Sequence, residues 1–123
     1  GRYRTLHEEG KLLASLVTGA ARKGDLLVSL LGEENWDLFV GVFCEPHSAG
    51  HQFWHLHDPS HVRFEAARRE RLGDPLLRTY QAVDAEIGRL TEAAGTIDTI
   101  RFGSCRFGRS RCAEATPFAV VML

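Results

Sequence analysis

Near the start of the chain Leu12, Leu13, Leu16 and Val17 recur at helical spacing, and Leu26, Leu27, Leu30 and Leu31 repeat the pattern. Gly19 and Gly24 lie between the two sets, which predicts one interrupted helix or two short ones over about residues 6–31, stopped by Gly32. The continuous apolar run Leu38-Phe39-Val40-Gly41-Val42-Phe43-Cys44 predicts a buried strand over 37–44, ended by Pro46. From Glu45 to Pro59 no simple period holds, so an ordered loop or one irregular helical turn is expected there. Val62 to Arg71 is charged and reads as a surface helix. The clearest helix begins at Asp74-Pro75, an N-cap followed by Pro at the first position. Its apolar stripe is Leu76, Tyr80, Val83, Ile87 and Leu90, and Gly95 closes it.

Beyond Gly95 the character changes. Residues 101–123 hold four Arg and one Glu, a net of +3, which leaves −4 for residues 1–100 of a chain whose total is −1. Arg101-Phe102-Gly103-Ser104-Cys105 is nearly repeated by Arg106-Phe107-Gly108-Arg109-Ser110. A basic Gly/Ser-rich stretch poor in periodic apolar positions packs badly. The chain therefore divides into an α/β part, residues 1–95, and a tail, residues 96–123. The tail is either divergent or the product of a shifted reading frame or truncated gene, and Phe118 to Leu123 is its one candidate strand.

At 123 residues the chain is one domain at most, able to bury roughly two-thirds of its unfolded surface. The near-balance of 15 basic and 16 acidic residues points to neither nucleic acid nor an anionic membrane. No apolar run approaches the roughly 20 residues a membrane span needs. Gly1-Arg2-Tyr3-Arg4 lacks a signal peptide's apolar core, and the missing initial Met is what an internal piece of a longer protein would show. Three unevenly spaced cysteines make no disulfide framework, so a reducing cytoplasm is the expected location.

Five of the six histidines fall within residues 47–61, directly after the expected strand. Imidazole is the commonest side-chain ligand for zinc-like metals, and the C-terminal end of such a strand is where α/β proteins place their chemistry. His47 and His51 are spaced i, i+4; on a helical turn both reach one cation. Gly50 is expected to let the backbone approach closely at that turn. His55, His57 and His61 read instead as interfacial or capping side chains. Cys105 and Cys112 fit no usual zinc spacing and are expected to be free thiols.

The segment from Trp36-Asp37-Leu38-Phe39-Val40 through Glu45-Pro46-His47-Ser48-Ala49-Gly50-His51, with Phe53-Trp54-His55 and Asp58-Pro59-Ser60-His61, resembles the type I phosphodiesterase and nucleotide pyrophosphatase branch of the alkaline phosphatase superfamily. Tyr80 to Leu90 is similar to the helix that follows in that family, so the resemblance covers residues 36–91. There a buried strand ends in an acidic-Pro-Asp-x-x-Gly-His signature whose Asp and His bind one of two catalytic metals, usually zinc. His51 matches its His, Gly50 its Gly and Glu45-Pro46 the residues before its Asp, whereas His47 stands where the Asp is expected. The resemblance implies a three-layer α/β/α fold, a phosphate-ester substrate and a two-metal zinc site. Asp84 and Glu86, in the matched helix, are expected to make caps, salt bridges or helix contacts.

The family's mechanism also needs an upstream Thr or Ser nucleophile at a helix start and a downstream Asp-His-Gly motif. Ile97 to Cys105 stands in place of that motif, and Thr5, Ser15 and Thr18 follow no glycine-rich turn. The chain is therefore expected to be a fragment of a metal-dependent phosphoric-ester hydrolase, giving His47 and His51 to one metal and holding no catalytic residue of its own. The rival expectation is a non-catalytic metal-binding or interaction module built on the histidine run. Exposed strand edges predict self-association in either case.

Overall fold

The computed structural model describes residues 3–95 in full and the backbone of 99–103 and 118–122. Helix α1, Leu6–Leu31, is a single helix of 26 residues. Thr5 caps it: its hydroxyl accepts from the Glu8 N–H at 3.2 Å, and Glu8 Oε2 accepts from the Thr5 N–H at 2.7 Å. This reciprocal box satisfies two amides that the first turn leaves unpaired. The interruption expected at Gly19 and Gly24 does not occur. These glycines instead let other elements come close: the Glu45 carboxylate lies against Gly19, and Glu86 packs where a Gly24 side chain would stand. Gly32 does close the helix, but in right-handed conformation (φ −81°), its N–H donating to Val28 and Ser29 carbonyls.

Strand β1, Leu38–Val42, leads into helix α2, Glu45–His57, where a loop or a single turn was expected. Pro46 stands in the first turn of this helix, where a missing N–H costs nothing. Ala49, Phe53 and Leu56, spaced i, i+4, i+7, are fully buried and give the period its inward face. Helix α3, Ala66–Leu72, buries only Leu72. Gly73 (φ 64°) ends it in the left-handed region that glycine enters without penalty. Asp74 caps helix α4, Pro75–Ala94, accepting from the Leu77 N–H at 3.3 Å. On α4 Leu76, Val83 and Leu90 are buried as the stripe predicts, whereas Tyr80 is half exposed.

Two apolar clusters hold these helices together. Leu13 of α1, Ala49, Phe53 and Leu56 of α2, Leu72 of α3 and Leu76 of α4 form one. Ala20 of α1, Phe43, and Val83 and Leu90 of α4 form the other, flanked by Leu27, Val28 and Leu31. Helices α1 and α4 both span the two clusters, and together they form the spine of the fold. A fully buried Phe such as Phe43 or Phe53 contributes on the order of 2–3 kcal/mol through removal of its ring from water.

The three-layer α/β/α expectation is wrong: the protein is mostly helical. Within residues 3–95 helices α1, α2 and α4 pack on one another, and a single five-residue strand lies at their side. Strands β2, Thr99–Gly103, and β3, Phe118–Met122, run parallel to it in the order β1-β3-β2. A three-layer fold covers both faces of its strands. Here Gly41 and Phe43 of one face are buried, with Leu27 over Gly41, while Leu38 and Val40 of the other are each 49 % exposed and Val42 is exposed beside them. The expected tail strand falls on β3; the near-repeat around Arg106 and both tail cysteines, Cys105 and Cys112, lie outside the described residues. No helix among the described residues is long and apolar enough to cross a membrane.

Candidate functional site

His47 and His51 stand on successive turns of α2, immediately past the end of β1. Both are exposed, and their rings meet edge to face with centroids 4.6 Å apart. The inward face of α2 is used up by Ala49, Phe53 and Leu56, and this turns the two imidazoles outward together. Nothing lies within 4 Å of where a Gly50 side chain would stand, so the close backbone approach expected there is absent. Trp54, 51 % exposed, continues the same stripe one turn beyond His51.

Two imidazoles can hold a zinc-class ion by two of its four positions. Among the described residues no group of three or more His, Cys, Asp and Glu stands close enough to hold one. Glu45, the acidic residue two positions before His47, is not a third ligand. It is buried, and its carboxylate accepts from Lys23 Nζ at 2.9 and 3.1 Å, facing α1 instead of the histidines. Cys44 is a free, exposed thiol at the start of α2.

The other three histidines sit apart from this pair. His55 is nearly buried, its Nε2 3.4 Å from Glu9 Oε1. Glu9 Oε2 is in turn 2.8 Å from Arg68 Nε, so one buried carboxylate ties α1, α2 and α3 together. Burial, the largest influence on His55, holds its pKa below the ordinary imidazole value, against the attraction of Glu9. His57 Nδ1 lies 3.6 Å from Asp74 Oδ1, while Asp74 Oδ2 accepts from Arg69 at 2.6 Å. The Asp74 carboxyl is held below its usual range. Partial burial pushes it up, but the hydrogen bonds from Arg69 and Leu77 outweigh that. His61 Nδ1 accepts from the Arg63 N–H at 3.1 Å, closing the turn before α3.

Three buried carboxylates were not legible as such in the sequence. Each has a basic partner: Glu9 with Arg68, Glu45 with Lys23, and Glu86 with Arg89 at 2.6 Å. For Glu9 a signal existed, because it occupies the place one turn before Leu13 on the stripe that Leu13, Ala20 and Gly24 bury. An acidic residue in a buried stripe needs a partner to offset its desolvation. Asp84 is exposed, whereas Glu86 makes the helix contact expected of it. Thr5 serves as a cap, its hydroxyl engaged by Glu8. No family model matches the chain, nor does any curated protein or solved structure.

Proposed function

We propose that the chain supplies half of one metal site to a metal-dependent phosphoric-ester hydrolase of the phosphodiesterase and nucleotide pyrophosphatase type, with His47 and His51 as the ligands. What supports this reading is the juxtaposition of the two exposed imidazoles on the first turns of a helix that begins where β1 ends. The donor set suits zinc, a cation that accepts neutral imidazole nitrogen as readily as carboxylate oxygen. Bound with a second metal, zinc would polarise a phosphoryl oxygen and clamp the oxygens of an in-line displacement. The part of this chain is to hold and orient the ion; the nucleophile and second ligand set come from elsewhere.

Zinc titration by calorimetry on the chain and on His47→Ala and His51→Ala tests the ligand assignment. Weak binding that both substitutions abolish is expected, and equal binding by all three proteins refutes it. The chain alone should hydrolyse an aryl phosphodiester no faster than free zinc ion, because unpositioned water forfeits the advantage of proximity. Joined to a segment carrying the nucleophile and an Asp-His motif, it should turn over, with His51→Ala costing more than His61→Ala. A second reading, a non-catalytic interaction module, is favoured by the open apolar face of β1. That module would gain no activity from the added segment.

A further inference from the structure

We infer that two copies of this chain share one zinc ion, each giving His47 and His51, so that four imidazoles close a tetrahedral site neither copy completes alone. The inference rests on the reading of these histidines as zinc ligands and concerns the chain by itself: an ion closed by four imidazoles has no position open to a phosphoryl oxygen, so the shared site is structural and stands as an alternative to the hydrolase role. Zinc in a closed protein site takes four ligands at about 2.0–2.1 Å, which puts neighbouring donor nitrogens roughly 3.4 Å apart. Rings with centroids 4.6 Å apart reach that spacing by rotation about their side-chain bonds. One copy thus offers two donors on one side of the ion, and the opposite side is open.

Nothing described within the chain fills that side. Among the described residues no third ligand-type group is close enough, and the nearest carboxylate in sequence, Glu45, is turned inward onto Lys23. A second copy fills it by symmetry. A two-fold axis through the ion repeats the same pair, which is the self-complementary contact that twofold dimers use. The surface suits such an approach: His47 and His51 are both exposed on the outer face of α2, and Trp54 follows on the same stripe. An exposed indole one turn from the ion offers the partner helix an apolar contact around a charged centre. The chain's net charge of −1 opposes pairing only slightly.

The test is light scattering coupled to size exclusion on the full chain under reducing conditions, with zinc chloride or with EDTA, and calorimetry for stoichiometry. Zinc should double the 13.7 kDa mass at one ion per two chains, and EDTA should reverse it. His47→Gln and His51→Gln, checked for unchanged helicity, should stay at their EDTA mass in zinc, while His61→Ala should pair as the parent does. One zinc per monomeric chain overturns the shared site and leaves the ligand assignment standing. No zinc uptake overturns both. A doubling that persists in EDTA, or in His47→Gln or His51→Gln, overturns the zinc bridge.

Discussion

Gly24 is a helical glycine in the middle of a long helix, where alanine would ordinarily add about 1 kcal/mol of stability. Here the surroundings reverse the sign. A methyl at Gly24 would stand 1.9 Å from Glu86 Oε2, 2.5 Å from its Cδ and 2.8 Å from its Cγ. Glu86 is 7 % exposed and is held by Arg89, so the side chain cannot swing aside without unpacking the contact between α1 and α4. Overpacking of this kind costs about 1–3 kcal/mol, and disturbing the pair with Arg89 adds to that. Against the helix gain, Gly24→Ala should lower stability by about 1–2 kcal/mol. All three nearest obstacles belong to Glu86. In a Glu86→Ala background the same substitution should therefore stabilise by about 1 kcal/mol, giving a coupling of about 2–3 kcal/mol. Urea unfolding of the four proteins, read by helical circular dichroism with the slopes compared, measures it. A Gly24→Ala change of the same sign in both backgrounds would refute the close packing of Glu86 on Gly24.

His55 predicts a pH dependence. Burial holds its folded pKa below the ordinary value of about 6.5, so within that window the unfolded chain binds a proton that the folded chain does not. Stability from this group is full above about pH 6.5 and is lost as the pH falls toward the folded value. Urea midpoints at pH ~7.5 and ~5.5 should differ less in His55→Gln than in the parent; an equal or larger difference would contradict the assignment. On the open face of β1, Val40→Lys should reduce any association that does not require zinc while changing stability by no more than about 0.5 kcal/mol, because that side chain is half exposed. Sedimentation in EDTA reads the first effect and urea unfolding the second, and a loss of several kcal/mol would mean the face is covered.

The sequence by itself determined the features whose causes are local. Asp74-Pro75 and Gly95 bound α4 as read, because a cap, a proline without an N–H and a glycine act within one turn. The continuous apolar run expected as a strand over 37–44 contains β1, Leu38–Val42. The i, i+4 spacing brought His47 and His51 together as soon as their segment was helical. That it is helical was decided by tertiary packing: the period of Ala49, Phe53 and Leu56 is visible only once Leu13, Leu72 and Leu76 stand opposite them. The same holds for Gly19 and Gly24, which read as helix breaks and serve as points of close approach, since propensity yields where a neighbour must fit. The resemblance to a three-layer fold failed on the same ground. A strand's sequence is apolar on both faces whether or not a second layer arrives, and the exposure of Leu38, Val40 and Val42 shows that only the face bearing Gly41 and Phe43 is covered by helices.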